Sequence, residues 1–258
     1  MSAIDYARRY REEVLRSNRP EREPCYWDTR ARAMSERVFQ SEYAAQFIAR
    51  MDLTGCETVL DVGCGPGTIG VSIASKLTHV YGLDYSEGML AAFRDHAARR
   101  GLTNVTPILR AWDDDWSDVP VCDVVVASRA TAVRDFERAA LKLASKAKRR
   151  VYLTYPAHGR FIGDDIARAL GRPSEPLPDS DCVLGVLHQL GFPARLDYVT
   201  DPNPFDGCAM FDAFAAKARA LLGNLAAGDS ETLREYFNVH RDALGRQKMA
   251  WAFIQWEV

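Results

Sequence analysis

One stretch constrains this chain more than any other: residues 57–70, where the β-prone apolar run Val59, Leu60, Val62 meets Gly63, Gly65 and Gly67, alternating with Cys64 and Pro66. This reads as a short buried strand, a sharp turn and the opening of a helix over about 68–77. Glycine at every second position opens backbone conformations closed to other residues and lets N–H groups approach a ligand. The helix that follows would point its positive end at the same place. Such a turn wants an anion.

Two anions are open, a dinucleotide pyrophosphate or the carboxylate of an amino-acid-like cofactor. The dinucleotide pattern G-x-G-x-x-G fails when read from Gly63, because Thr68 stands at the third glycine; read from Gly65 it is met at Gly70. Asp61, two residues ahead of the glycines, would repel a pyrophosphate and attract an ammonium group. Here the stretch resembles the class I S-adenosylmethionine (SAM)-dependent methyltransferases, whose first motif is an acidic residue followed by G-x-G-x-G. Asp61, Gly63, Gly65 and Gly67 fit it position by position, with Cys64 contributing backbone.

Residues 79–84 read as a second strand ending in Asp84, about 20 residues past the turn, the spacing of an acid that accepts from ribose hydroxyls. The resemblance places its second acidic motif here, with Tyr85 and Met89 bordering the adenine. Met89 also fits an ordinary core position. Ser86 suits the N-cap of a helix running to Arg100. After a third strand at 105–109, family members carry an acid followed by a small residue; this chain departs from that with Trp112 and Asp113. Trp112 is expected to line the adenine pocket and Asp113 to accept from the exocyclic amine. Asp113, Asp114 and Asp115 are neighbours in sequence that do not converge on a metal, and none is expected; Asp114 and Asp115 read as a solvated acidic loop.

Residues 122–128 form the strongest strand signal, a continuous apolar run suited to the centre of a parallel sheet. Ser128 and Arg129 lie at its carboxyl end, where ligands of open α/β sheets bind. Ser128 is a candidate cofactor contact. Arg129 is a candidate for an acidic substrate or the SAM carboxylate, or a partner for Asp135. The Asn/Asp-Pro-Pro-Tyr/Phe motif of nucleic-acid amino-methyltransferases is absent here, as is the aspartate of metal-dependent catechol-type enzymes. A helix over 133–148 with a basic end precedes a fifth strand at 151–155, and Tyr155 and His158 at its carboxyl edge are the candidate general bases.

A helix near 182–190 and a sixth strand at 194–200 follow; residues 205–245 read as a helical insertion or lid, and 249–258 as an antiparallel last strand. The implied fold is α/β: a doubly wound, mostly parallel seven-stranded sheet with an antiparallel last strand. The organisation is an N-terminal helical cap segment, 1–54, then a class I methyltransferase domain, 55–258. In the resembled family such caps fold over the cofactor. Arg30 would then meet the SAM carboxylate and Trp27 wall the substrate site; a core Trp27 and a solvated Arg30 are the alternative. Residues 25–30 show no regular periodicity.

The 258 residues suffice for a full core, and 47% hydrophobic with 26% charged residues is ordinary for a soluble protein. The net charge of −2 gives no field for drawing in nucleic acid, and no apolar run is long enough to cross a membrane. Residues 1–24 are too charged for a signal peptide, and the six cysteines lack metal spacing, so a reducing cytoplasm is expected. The expected function is transfer of a methyl group from SAM to a small molecule, leaving S-adenosylhomocysteine. A methyltransferase acting on protein or RNA, an NAD-dependent oxidoreductase and a non-catalytic SAM-binding module remain alternatives.

Overall fold

The structure is a computed structural model that describes residues 4–19, 21–31, 36–172, 175–223, 225–226, 228–246 and 248–258. Its strands are β1 Thr58–Val62, β2 His79–Asp84, β3 Val105–Leu109, β4 Cys122–Ala127, β5 Ala147–Pro156, β6 Arg195–Asp201 and β7 Met249–Glu257. They form one seven-stranded sheet in the order β3-β2-β1-β4-β5-β7-β6. Only β7 runs against its neighbours; the other pairings are parallel. The chain winds outward from β1 in one direction and resumes at β4 in the other, so the order reverses between these two strands. The crevice beyond their carboxyl ends is where a doubly wound sheet takes its ligand.

The helices are α1 Tyr6–Ser17, α2 Pro24–Ala31, α3 Glu42–Ala49, α4 Gly70–Ile73, α5 Glu87–Arg99, α6 Phe136–Ser145, α7 Asp164–Ala169, α8 Ser180–Gln189, α9 Phe211–Leu222 and α10 Asp229–His240. Alternate residues of the central strands feed opposite faces. Leu60, Val125, Leu153 and Tyr155 pack beneath Tyr10 of α1, Phe136 of α6 and Val186 of α8. Val59, Val124, Val126 and Tyr152 pack on the other face against Tyr43 and Phe47 of α3 and Ile73 of α4. A smaller apolar cluster joins Ile166 of α7 to Phe214 of α9 and Leu233 and Phe237 of α10. α9 and α10, the helices before β7, therefore share an apolar centre with α7.

α3 covers the β6 edge of the sheet. The Gln46 amide donates to the Thr200 carbonyl at 3.4 Å and accepts from the Thr200 N–H at 3.2 Å, while Arg50 donates to the Tyr198 carbonyl at 3.0 Å. Side chains here take the place of a further strand and cover an edge that would otherwise pair with another chain.

Several elements depart from the sequence reading. Residues 25–30 lie within a regular helix, α2. Its anchoring contact is polar, as described below, so no apolar period marks it. The helix after the glycine turn is only Gly70–Ile73, followed by a short 3₁₀ turn, Ala74–Lys76. Glycine and β-branched residues there are poor helix formers, and one turn carries little macrodipole. The basic run at 148–150 is not a helix end but the start of β5. Lys148 pairs with Asp123 at 3.7 Å, Arg149 donates to the Gly55 carbonyl at 2.8 Å, and Arg150 pairs with Asp52 at 2.8 Å.

Candidate active site

The glycine turn leaves β1 with φ of +63° at Gly63, +53° at Gly65 and +91° at Gly67, values that L-residues with a side chain rarely hold. It is laced to the sheet by the Cys64 N–H on the Leu83 carbonyl at 3.0 Å and closed by the Gly67 N–H on the Cys64 carbonyl at 2.9 Å. Asp61 lies buried beneath it, its Oδ2 accepting from the Gly70 N–H at 2.8 Å. Burial pushes the Asp61 carboxyl up to about 7; the Gly70 N–H opposes this, and the nearby Asp84 charge adds to it. A Cβ built on Gly65 would meet nothing nearer than the Met89 sulfur at 3.9 Å. The space above Gly65 is thus a cradle that any side chain would fill.

Asp84 ends β2 beside this cradle. Its Oδ2 accepts from the Gly65 N–H at 2.9 Å and its Oδ1 from the Ser86 N–H at 2.9 Å. Burial raises its carboxyl above the ordinary range, against the pull of those donors. Ser86 caps α5 by accepting from the Met89 N–H at 3.0 Å. The Tyr85 hydroxyl donates to the Arg22 carbonyl at 2.7 Å.

Across the crevice, the end of β4 is held by a hydroxyl cluster. The Tyr43 hydroxyl bonds Ser128 Oγ at 2.8 Å and Thr154 Oγ1 at 2.6 Å. Arg129 stands at φ +56°, with its N–H on Thr154 Oγ1 at 2.9 Å. A bulky residue with positive φ carries strain that its surroundings must hold. Its guanidinium lies 4.3 Å from the centre of the Tyr43 ring and pairs with Asp201, not Asp135, at 2.9 Å. Asp135 instead caps α6 and faces Arg11. Ala130, the next residue, packs directly under Gly63 and accepts from Trp112 Nε1 at 3.1 Å. Trp112 therefore reaches the floor of the turn, stacked on Trp116 with 5.4 Å between ring centres.

Other candidates lie elsewhere. The Asp113 side chain is 88% exposed and pairs with Arg138 at 3.0 Å, outside the crevice. Arg30 stacks on Tyr26 and donates to the Ala220 carbonyl of α9 at 2.7 Å, so it faces the insertion and not the glycine turn. Tyr155 corrects the sequence reading. Its ring is fully buried against Phe136, and its hydroxyl meets that of Tyr10 at 3.5 Å. Burial pushes the phenol well up, and α1 keeps it from acting as a general base. His158 is exposed in the turn after β5.

Among the described residues no cluster of three or more His, Cys, Asp or Glu could hold a metal. Residues 59–151 match the methyltransferase-domain family. An uncharacterized protein of Haemophilus influenzae is 33% identical over 261 residues, spanning 99% of this chain and 97% of its own length. The chain carries a SAM-dependent methyltransferase domain. The domain gives the enzyme class and the cofactor, SAM, but not the acceptor. The fold is shared with coclaurine N-methyltransferase, solved with N-methylheliamine and S-adenosylhomocysteine, at a TM-score of 0.59 and 13% identity over 97% of this chain and 86% of that one. An uncharacterized RNA methyltransferase of Streptococcus agalactiae is 37% identical over 73 residues, which is 28% of this chain and only 15% of that protein.

One residue of this methyltransferase escaped the sequence reading. Asp28 of α2 accepts from Ser86 Oγ at 2.6 Å and from the Gly88 N–H at 2.9 Å. These bonds, the Ser86 hydroxyl first, hold its carboxyl below the ordinary range. No spacing announces the contact, because the partners lie about 60 residues apart and neither belongs to a motif.

Proposed function

We propose that this methyltransferase passes the SAM methyl group to a small-molecule acceptor bound at the carboxyl ends of β4 and β5. When bound, the cofactor supplies a sulfonium methyl already activated for displacement, so no covalent enzyme intermediate is needed. The turn at Gly63, Cys64, Gly65 and Gly67 would pack against the methionyl tail, with Asp61 beneath the ammonium group. Asp84 would accept from the ribose hydroxyls; Tyr85, Met89 and Trp112 would border the adenine, and Ser128 the methionyl side. The cradle over Gly65 and the acid beside it fit such a ligand.

One observation carries the small-molecule reading: the N-terminal segment, 1–54, and the insertion, 205–245, are tied together around this edge. Arg30 of α2 binds the Ala220 carbonyl of α9. Arg19 pairs with Asp164 at the start of α7 at 2.7 Å and lies 5.0 Å from the centre of the Phe161 ring. An edge enclosed in this way suits a compact acceptor, and the net charge of −2 supplies no attraction for RNA. Trp27 and Arg129 are the candidates to touch the acceptor, and His158 the candidate to take its proton. Positioning an acceptor in line can account for roughly 7–11 kcal/mol of a barrier. All six cysteines are free, which fits a reducing cytoplasm, and among the described residues no helix is long and apolar enough to cross a membrane.

The test is incubation with methyl-labelled SAM and either fractionated small metabolites, total RNA or total protein. Label appearing in the metabolite fraction with stoichiometric S-adenosylhomocysteine is expected. Label confined to RNA or protein overturns the acceptor class.

A further inference from the structure

At the carboxyl ends of β4 and β5, hydrogen-bond donors outnumber acceptors. The run begins at a fixed donor, the Arg129 N–H, which binds Thr154 Oγ1 at 2.9 Å. Thr154 Oγ1 also bonds the Tyr43 hydroxyl at 2.6 Å, and that hydroxyl bonds Ser128 Oγ at 2.8 Å. A hydroxyl has one proton to give. If Tyr43 gave its proton to Thr154, the Thr154 O–H would be stranded in a fully buried side chain, with no other acceptor among the described residues. Buried donors are rarely left so. Thr154 therefore donates to Tyr43, and Tyr43 to Ser128. Burial, against the pull of the Arg129 charge, holds the Tyr43 phenol above its ordinary range, so it keeps the proton it passes on. Ser128 Oγ thus already accepts, and its own O–H is left to donate from a half-buried side chain at the crevice. Arg129 adds to the surplus. Its Nη1 pairs with Asp201 at 2.9 Å, while the rest of the fork, in a side chain 36% exposed, has no hydrogen-bond partner among the described residues. Trp251 of β7, with its ring centre 6.1 Å from that of Tyr43, holds a buried indole N–H that likewise lacks an acceptor. Asp201 ends β6, two strands beyond β5, so the Arg129 cation reaches away from β1 and its glycine turn.

We propose that the methyl acceptor is an organic acid, whose anionic oxygens take the Ser128 O–H and the free edge of the Arg129 guanidinium. The proposal rests on the reading that a small molecule is methylated at the carboxyl ends of β4 and β5. Ser128, on the methionyl side of the cofactor, stands where methyl donor and acceptor meet. A site that offers only donors selects by charge: an anion fills it, a neutral amide makes weaker bonds, and an ammonium group meets a cation. Tyr43 is a positioning residue, since it directs the Ser128 proton and carries the Arg129 guanidinium 4.3 Å from its ring centre. Asp201 holds the same guanidinium and competes with an incoming anion for its charge.

The experiment separates small metabolites by charge into acidic, neutral and basic fractions and incubates each with the full chain and methyl-labelled SAM. Transfer to the acidic fraction is expected. Arg129→Gln should raise the amount of that fraction needed for half-maximal rate roughly tenfold or more, as charge-assisted bonds are lost, with S-adenosylhomocysteine affinity unchanged by calorimetry. Tyr43→Phe keeps the buried ring but breaks the run of hydroxyls, and should raise the same amount several-fold with a smaller effect on the maximal rate. Asp201→Asn keeps an oxygen for Nη1 and removes the competing charge, so it should lower that amount several-fold, a gain that a damaged fold cannot imitate. Transfer confined to the neutral or basic fraction, or S-adenosylhomocysteine affinity lost in Arg129→Gln, overturns the acid and leaves the small-molecule reading standing. Transfer to none of the metabolite fractions overturns the small-molecule reading, and the proposal with it.

Discussion

Replacing Asp61 by Asn should stabilise this protein above neutral pH, although it removes the acid of the glycine motif. Burial lifts the Asp61 carboxyl from 3.8 to about 7. The folded state therefore holds a proton that the unfolded chain has lost between about pH 4 and 7. Stability falls as pH rises through that window and stays reduced above it. Fully developed, this cost is about 4 kcal/mol, an upper bound. The Asn side chain cannot ionise and keeps an oxygen for the Gly70 N–H, now 2.8 Å from Asp61 Oδ2. Loss of charge in that hydrogen bond returns about 1 kcal/mol, so Asp61→Asn should gain about 2–3 kcal/mol at pH 8. Near pH 4.5 the gain should vanish. Urea unfolding of both proteins at the two pH values measures the difference directly, because every other titrating group is shared. Equal destabilisation at both would refute the reasoning. It would mean that Asp61 is ionised throughout and held by donors that offset its burial.

Other substitutions separate cofactor binding from support. Asp84→Ala should weaken S-adenosylhomocysteine binding more than about tenfold, since buried charge-assisted hydrogen bonds contribute roughly 1.5–3 kcal/mol each; calorimetry checks this. Gly65→Ala should lower stability by only about 1–2 kcal/mol, for its positive φ, yet lose most ligand affinity because the methyl group enters the cradle. Unchanged affinity would place the ligand elsewhere. Tyr155→Phe should leave turnover intact, as the hydroxyl meets only Tyr10, whereas His158→Gln should cut kcat roughly 10²–10⁴-fold if the acceptor must lose a proton to it.

The sheet was legible where short β-prone runs end at turns. The continuous run at 122–127 and the alternating strand-and-helix units from 58 to 109 placed β1 to β4 within a residue or so of their observed ends. Legibility failed where polar contacts decide structure. α2 owes its place to Asp28 and the glycine at 88, and hydrophobic periodicity carries no trace of either. The basic start of β5 read as a helix end because cations suit a helix C-terminus; its partners Asp123, Asp52 and the Gly55 carbonyl come from distant segments. Tyr155 read as an edge residue from its position in the strand. Only the docking of α1, through the Tyr10 hydroxyl on the Val133 carbonyl at 2.9 Å, shows that this side of the strand is roofed. The glycine turn, Asp61 and Asp84 were visible because one local stretch and one fixed spacing specify them.

Calorimetric titration of the wild-type chain with S-adenosylhomocysteine tests the central claim, that the cradle over Gly65 and the Asp84 carboxylate together hold the cofactor. Saturable one-to-one binding, abolished or greatly weakened in Asp84→Ala and Gly65→Ala, is the predicted result. Absence of heat at millimolar ligand, or binding indifferent to both substitutions, would contradict it.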